Sequence, residues 1–377
     1  MQFRRLIYKA HLYVGLLLGG FFLLLSLTGS ILVFYPEIDL LLHPEIRVQQ
    51  PLSKALSSQL VLDALRSKYP TLEKGWRIEM PLNEGFPVFA RYLKPDANNK
   101  ALFAPLVVSV NPQTYEVTSE RIWGDYLVTW IFDLHYQLLI GDIGKTLVVI
   151  LGILLMANVF FGLYLWFPKS ISAWKHALVM KMNSHPMRKN YDIHKLAGVF
   201  SLILILVMAL TGALLGRADW FNPMIQKFSS IDTYAPLPVQ TQTLPQITAD
   251  SAVTIAKSVY PKAELRWIYT PDTANDYYQI RMHQVSEPGR RFPKTILWID
   301  QYSGQVKYIK KPEAFSAGDT ILAWLHPLHN GEAFGVIGRL LAVLSGIFIV
   351  VLCWTGLRRT LYKQKIKHHK FSKIRIS

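Results

Sequence analysis

Four histidines stand out in this sequence because each lies at the mouth of a long apolar segment. His11 and His194 open the first and third segments, and His135 and His329 open the second and fourth. An imidazole at membrane depth is costly unless it binds something. The simplest group for two facing histidines to bind is haem iron, which offers two axial positions. We therefore interpret these histidines as candidate axial ligands.

The spacing around these histidines is duplicated. The intervals are 17 residues from His11 to Thr28-Gly29 and from His194 to Thr211-Gly212, and 27 residues from His135 to Gly162 and from His329 to Gly356. The blocks GDYLVTWIFDLHYQLLIGDIGK and GDTILAWLHPLHNGEAFGVIGR also share one pattern without a gap. This agreement predicts an internal duplication. It selects His329 over His326 as the equivalent of His135, with His326 as a possible substitute ligand.

The apolar segments indicate a membrane protein. They cover 12–35, 146–167, 196–216 and 336–357. Each is long enough to cross a hydrocarbon core of about 30 Å as a helix of about 20 residues. We therefore expect a membrane α-helical bundle of four transmembrane helices, with two α+β domains outside the membrane.

These observations divide the chain into eight regions. Transmembrane helices are expected at 1–35, 131–167, 194–216 and 325–357, α+β domains at 36–130 and 217–324, a basic loop at 168–193 and a basic tail at 358–377. Within the two domains, Ser53 and Thr248 are expected to cap helices that end at Tyr69 and Tyr260, each just before a proline. Alternating, strand-like runs follow each helix.

The net charge of +16 comes from segments on one side of the predicted membrane. The N-terminus, the loop 168–195 and the tail 358–377 together hold 17 basic residues and one acid, whereas the rest of the chain holds 24 of each. By the positive-inside rule, both termini are expected in the cytoplasm and both α+β domains outside. No nucleic-acid partner is expected. The single cysteine, Cys353, excludes a disulfide within the chain.

With this orientation the histidines pair by membrane face. His11 and His194 are expected near the cytoplasmic face, and His135 and His329 near the outer face. One histidine from each half at each face predicts two haem b groups, each with two histidine ligands. Such haems transfer electrons and do not need to bind oxygen.

Further residues are expected beside the haems. Gly15 and Gly198 lie four residues after their histidines on the same helix face, where a missing side chain lets a flat macrocycle approach. Lys145 and Arg339 either pair with haem propionates or extend to lipid headgroups. No nucleotide or flavin motif is visible, so the electron donor is expected to be a separate cytoplasmic protein or a small reductant such as quinol.

The segment IYKAHLYVGLLLGGFFLLLSLTGSILVF, together with the two Leu-His blocks, resembles the PepSY-associated transmembrane family. That family includes iron-regulated membrane proteins and siderophore reductases of the FoxB type. The resemblance covers essentially the whole chain. It implies a bacterial inner-membrane haem protein with periplasmic PepSY-like domains that reduces ferric siderophore. By position, it gives the ligand role to His11, His194, His135 and His329.

Other interpretations stay open. The chain is alternatively a general b-type cytochrome for another periplasmic acceptor, or a haem-free membrane sensor or regulator of the kind associated with PepSY modules. A permease is disfavoured because the sequence does not show the broken helices and many spans of a transporter. In the siderophore interpretation, a cleft between the two domains is expected to be lined by Trp123, Trp130, Trp220 or Trp324, although packing or a membrane-interface belt also explains these residues.

Overall fold

The computed structural model describes residues 2–49, 55–93, 104–233, 236–239 and 245–374. The chain divides into two compact units, here called the helical unit and the sheet unit. The helical unit comprises Met1–Val33, Leu134–Ala218 and Leu328–Ser377, and the sheet unit comprises Phe34–Asp133 and Asp219–Pro327. All four predicted ligand histidines belong to the helical unit.

Helices and strands are numbered along the chain. The helices are α1 (Gln2–Leu17), α2 (Gly19–Leu32), α3 (Tyr35–Leu42), α4 (Ser58–Lys68), α5 (Leu127–Gln137), α6 (Gly141–Trp166), α7 (Ile171–Ala177), α8 (Pro186–Phe200), α9 (Leu202–Gly216), α10 (Ala218–Gln226), α11 (Ala249–Val259), α12 (Ala317–His329) and α13 (Gly335–Ile374). The strands are β1 (Arg77–Glu79), β2 (Val88–Tyr92), β3 (Leu106–Val110), β4 (Val117–Ile122), β5 (Glu264–Tyr269), β6 (Tyr277–His283), β7 (Thr295–Asp300) and β8 (Val306–Lys310).

Several helices are apolar enough to cross a membrane. Among the described residues, Gly141–Trp166 and Glu332–Ile366 pass by length and composition, and up to four spans result if α1 with α2, and α8 with α9, each form one. α6 packs along α1 and α9, and α13 packs along α2 and α8. One buried residue from each of α2, α6, α9 and α13 joins a common cluster, made of Phe22, Leu151, Ile205 and Ile349.

The first and third apolar segments are bent rather than continuous. The axes of α1 and α2 meet at 59°, and those of α8 and α9 at 57°. The breaks fall at Leu18 and Ser201, each seven residues after a predicted ligand histidine. Leu18 is followed by Gly19 and Gly20, and helices kink readily at glycine and serine. The expectation of unbroken helices in these segments was therefore wrong.

The second and fourth segments also begin differently from the prediction. His135 lies in α5 and His329 ends α12, whereas α6 and α13 start six residues later. The chain turns between these helices at residues with left-handed backbone: Leu138 (φ 50°) and Leu139 (φ 60°) in one case, Gly331 (φ 78°) in the other. The predicted single helices over 131–167 and 325–357 are each two helices joined by a tight turn.

Two helices of the sheet unit, α4 and α11, are fixed by caps. Thr248 caps α11 by accepting a hydrogen bond from the Ser251 amide, and the helix ends at Tyr260, as predicted. α4 ends at Tyr69 as predicted, but its cap is Ser57, while Ser53 lies outside the described residues. Asp250 explains the choice, because its carboxylate accepts hydrogen bonds from the Ser57 hydroxyl and the next amide.

Both predicted α+β domains contribute to one sheet. Among the described residues, eight strands form an antiparallel sheet in the order β4-β3-β2-β1-β5-β6-β7-β8. β1 pairs with β5, which places Arg77 opposite Tyr269 and Glu79 opposite Trp267. α4 and α11 cover one face of the sheet through a shared apolar core. The alternating residues on the opposite face include a row of charged and aromatic side chains.

Candidate functional site

The four histidines form two pairs inside the helical unit. The ring centres of His11 and His194 are 6.2 Å apart, with ring planes at 80°. The ring centres of His135 and His329 are also 6.2 Å apart, with ring planes at 44°. Each pair takes one histidine from each half of the sequence, in the combination that the duplicated spacing predicts.

Each imidazole is held on one side through Nδ1. The Nδ1 atom of His11 lies 3.0 Å from the backbone carbonyl oxygen of Asn158. The other three Nδ1 atoms lie beside threonine hydroxyls: His135 beside Thr28 at 3.0 Å, His329 beside Thr211 at 3.0 Å and His194 beside Thr355 at 2.8 Å.

The partners fix the direction of these hydrogen bonds. A carbonyl oxygen only accepts, so Nδ1 of His11 carries the proton. Each threonine donates its single hydroxyl proton to the carbonyl four residues earlier: Thr28 to Leu24, Thr211 to Val207 and Thr355 to Val351. The hydroxyl oxygens therefore accept from the histidines. With the proton on Nδ1, the neutral ring has its lone pair on Nε2. This is the tautomer that binds a metal through Nε2.

A glycine lies against each imidazole. A Cβ atom on Gly29 or Gly212 would stand 2.9 Å from Cε1 of the neighbouring histidine, His135 or His329. The corresponding distances are 3.1 Å from Gly162 to His11 and 3.7 Å from Gly356 to His194. The absent side chains let the rings approach the helix backbone. These four glycines mark the duplicated intervals, but their contact with the histidines could not be inferred from the spacing.

The duplicated intervals reflect mutual contacts between two apolar segments, each of which contacts the histidine of the other. α2 carries Thr28 and holds His135, whereas α6 carries Gly162 and holds His11. In the other half of the chain, α9 and α13 support His329 and His194 in the same way. The sequence reveals the intervals but not which histidine each serves, because the contact is between helices.

His11 is supported differently from the other three histidines. In the aligned sequence blocks Phe161 takes the place of Thr355, and it has no hydroxyl to offer. The carbonyl of Asn158 accepts the Nδ1 hydrogen bond instead. A backbone carbonyl is a stronger hydrogen-bond acceptor than a hydroxyl. This acceptor distinguishes the His11–His194 pair from the His135–His329 pair, which is held by two threonines.

The pairs fit a metal with two axial imidazoles. Metal–imidazole bonds are about 2 Å long, so two rings bound to opposite sides of one ion have centres about 6 Å apart. Both observed separations are 6.2 Å. In the part of the chain that the structure describes, no group of three or more His, Cys, Asp and Glu residues could hold a metal ion. The separation in each pair would suit two imidazole ligands on a macrocycle-bound iron, and haem binding itself stays a prediction.

The two glycines predicted beside the haems contact neighbouring helices. A Cβ atom on Gly15 would stand 3.6 Å from Nδ2 of Asn158, and one on Gly198 would stand 3.7 Å from Leu352. These are ordinary van der Waals distances. A role for the two glycines beside a macrocycle stays a prediction.

The predicted propionate partners lie near the starts of α6 and α13. The Lys145 amine lies 5.4 Å from the centre of the Tyr136 ring. Arg339 donates a hydrogen bond to the Val33 carbonyl at 2.9 Å. Contact between these residues and haem propionates stays a prediction.

The substitute ligand and the tryptophans lie elsewhere. His326 belongs to the sheet unit, where its ring stacks on Phe292 with ring centres 4.3 Å apart. Its position therefore favours His329 as the partner of His135. Trp123 is buried, whereas the other three tryptophans expected at a cleft, Trp130, Trp220 and Trp324, are exposed.

Apolar helices and paired, oriented histidines define a membrane protein with two candidate cofactor sites. The chain belongs to the family described as PepSY-associated TM region, whose profile matches residues 8–363. This match covers nearly the whole chain and confirms the resemblance inferred from the histidine blocks. A comparison with curated proteins finds no match.

Proposed function

We propose that this chain is an inner-membrane dihaem reductase that passes electrons across the membrane and reduces ferric siderophore in the periplasm. His11 and His194 would hold one haem near the cytoplasmic face, and His135 and His329 the other near the periplasmic face. The proposal includes a duplicated four-helix bundle in which α1–α2 and α8–α9 each cross once. Both termini are placed in the cytoplasm because the basic residues flank that side.

The shared tautomer carries this proposal. All four rings direct Nδ1 to a hydrogen-bond acceptor on a neighbouring helix. A metal-ligating histidine typically donates its other ring N–H to such an acceptor, which fixes both the tautomer and the ring orientation. Histidines that only fill space between helices have no reason to share one tautomer in facing pairs.

A haem with two imidazole ligands transfers single electrons without an open position for oxygen. The chain's own residues keep the imidazoles oriented, set their donor strength through the Nδ1 hydrogen bonds and exclude water with apolar helices. One electron converts each Fe(III) to Fe(II), which the hard oxygen ligands of a siderophore hold less tightly. A quinol or reduced flavin supplies two electrons, so one donor molecule would reduce two ferric ions.

The helix breaks do not favour a permease over this proposal. Discontinuous helices at Leu18 and Ser201 are a feature shared with transporters. A cargo path, however, needs groups that bind and release along a route. The histidines instead form two pairs, and each Nδ1 atom is hydrogen-bonded to a backbone carbonyl or a threonine hydroxyl.

The test is an anaerobic reaction of the purified, dithionite-reduced protein, freed of excess reductant, with a trihydroxamate, a tris-catecholate or a citrate complex of Fe(III). We expect at least one complex to oxidise the protein, with one Fe(II) trapped per electron lost. The gallium complexes are the control, because Ga(III) accepts no electron under these conditions. A reduced protein with full haem content that no ferric chelate oxidises would leave only a general electron carrier.

A further inference from the structure

The face of the sheet opposite α4 and α11 carries positive charge at its centre, where Phe292 packs against Trp267 with ring centres 5.7 Å apart. Trp267 of β5 stands opposite Arg281 of β6, and Tyr269 of the same strand stands opposite Arg77 of β1. These four side chains share the face that lies away from α4 and α11, because their neighbours Ile78, Ile268 and Ile280 belong to the core on the other face. Lys294 precedes β7 on the same side, two residues before the residue paired with Arg281.

The two guanidinium groups lie against two aromatic rings. The Arg77 Cζ atom is 4.8 Å from the centre of the Trp267 ring. The Arg281 Cζ atom is 4.9 Å from the centre of the Tyr269 ring and 5.4 Å from that of Trp267. Such contacts hold guanidinium groups in place, but they do not neutralise their charge. The rings also give this part of the face flat, apolar walls.

The carboxylates near this cluster are already engaged. Glu79 lies 2.7 Å from the guanidinium of Arg77, but it also lies 2.6 Å from that of Arg91. Arg281 donates from Nε to the neutral amide of Gln279 at 2.9 Å and makes no ion pair with any described residue. Arginines on this part of the sheet therefore outnumber their carboxylates.

Lys294 adds a further cation, beside the buried carboxylate of Glu287. Glu287, the acid beside it, accepts hydrogen bonds from the backbone amides of Lys294 and Thr295 and from the Thr295 hydroxyl. Burial and then the proximity of Arg281 lower the pKa of Lys294 to about 8. Lys310, the next cation along the sheet, is matched by Asp232 and Asp319. The cations of this cluster thus outnumber its carboxylates by two, with Arg77, Arg91, Arg281 and Lys294 against Glu79 and Glu287.

An excess of partly buried cations over anions is unfavourable. We propose that Arg77, Arg281 and Lys294, with the rings of Trp267 and Tyr269, form a binding site for a carboxylate-bearing, anionic metal chelate. This inference rests on the proposed reduction of ferric siderophore and specifies its substrate class. It favours carboxylate siderophores, whose iron complexes are negatively charged, over neutral or cationic hydroxamates.

The chemistry of the three cations suits carboxylates. Arginine binds a carboxylate through two parallel N–H donors, and its delocalised charge tolerates contact with aromatic rings. The lysine amine supplies a third, flexible donor. A neutral chelate would leave the cation excess uncorrected, so the site discriminates by charge as well as by shape.

The test measures binding of gallium(III) citrate to the full-length protein in detergent by calorimetry and by tryptophan fluorescence. Gallium is not reduced here, so the readout does not depend on haem. We expect Arg281→Gln and Lys294→Gln each to weaken binding about tenfold or more, since each substitution removes a charged hydrogen-bond donor. Arg281→Lys, which keeps the charge, should retain more affinity than Arg281→Gln, with thermal unfolding confirming that each variant is folded.

Lys307→Gln is the matched control, because this lysine of β8 is exposed and hydrogen bonds to Gln305, so its loss should leave binding unchanged. Equal binding by all variants, no binding at all, or equal affinity for metal-free citrate would overturn the assignment. The two proposals fail separately. Gallium citrate binding without haem would keep this site and remove the reductase, whereas reduction of a trihydroxamate without citrate binding would do the reverse.

Discussion

The Thr28 hydroxyl oxygen lies 3.0 Å from Nδ1 of His135, and its own proton goes to the Leu24 carbonyl 2.7 Å away. Thr28 is therefore an acceptor toward the imidazole and a donor toward its own helix. The same arrangement recurs between Thr211 and His329. Carbonyl, hydroxyl and imidazole form a chain that leaves the lone pair of each neutral ring on Nε2, where it is available to a metal.

Replacing Thr28 by valine keeps the branched shape but removes the acceptor. We expect weaker haem retention at the His135–His329 pair, because loss of a partner that orients a ligand typically costs about 10–100-fold in metal affinity. Haem per chain after extended washing measures the effect. Thr146→Val is the control, since its hydroxyl also bonds a carbonyl four residues earlier, that of Asp142, but contacts no ligand histidine. Equal retention in the two variants would contradict the role of Thr28.

Glycine-to-alanine variants test the packing of the rings. A Cβ atom on Gly29 would approach Cε1 of His135 to 2.9 Å, whereas one on Gly20 of the same helix has nothing within 4 Å. We expect Gly29→Ala to displace the ring and lower haem content, and Gly20→Ala to be neutral. Gly356→Ala, at 3.7 Å from its histidine, should have a smaller effect than Gly29→Ala. Similar losses at Gly20 and Gly29 would show that helix packing, rather than the ring contact, is responsible.

The histidine pairing predicts which haem each substitution removes. We expect His135→Ala and His329→Ala to abolish the same spectroscopic component, and His11→Ala and His194→Ala to abolish the other. His326→Ala serves as the control, because its ring stacks on Phe292 in the sheet unit. Low-temperature absorption and potentiometric titration separate the components. Full haem content after loss of both His135 and His329 would contradict the pairing.

Lys294 predicts a pH-dependent difference in stability. Burial and the nearby Arg281 lower its pKa from 10.5 to about 8, with Glu287 opposing the shift and Lys310 adding to it. Between these values the unfolded chain binds more protons than the folded chain, so this residue adds stability as the pH rises from 8 to 10.5. Without ligand, Lys294→Gln should therefore raise Tm at pH 7, by roughly 2–4 °C for each kcal/mol gained.

The same advantage should shrink as the pH rises above about 8 and disappear above 10.5, where the lysine of the parent protein is neutral in both the folded and the unfolded chain. Thermal unfolding of both proteins across this pH range checks the expectation. Lys307→Gln, which removes an exposed charge from the same sheet, should show no such trend. A difference in Tm that is constant with pH would mean that the charge of Lys294 is not the cause.

Much of the site could be predicted because its residues repeat at fixed intervals. The spacing identified the four histidines, chose His329 over His326, and marked Thr28 and Gly162 without explaining them. The sequence does not reveal their function, because the threonine or glycine at the end of each interval contacts the histidine of a different apolar segment. Asn158 gave no signal, since its support of His11 comes from a backbone carbonyl that every residue has.

The fold was predictable where local chemistry decides it. The prolines after Tyr69 and Tyr260 end α4 and α11, and Thr248 caps α11 as expected. Ser57 displaced Ser53 as a cap because Asp250, almost two hundred residues away, binds it. The two predicted domains likewise join into one sheet because β1 pairs with β5, a strand far away in the sequence. Alternating hydrophobicity does not specify which strands pair.

The most direct measurement is an absorption spectrum of the detergent-purified protein before and after dithionite, with haem quantified per chain. We expect a sharp reduced α band and about two haems per chain, as bis-histidine ligation at both pairs requires. A protein made with ample haem that shows no Soret band would contradict haem binding by the histidine pairs. It would leave a haem-free membrane sensor or regulator as the better interpretation.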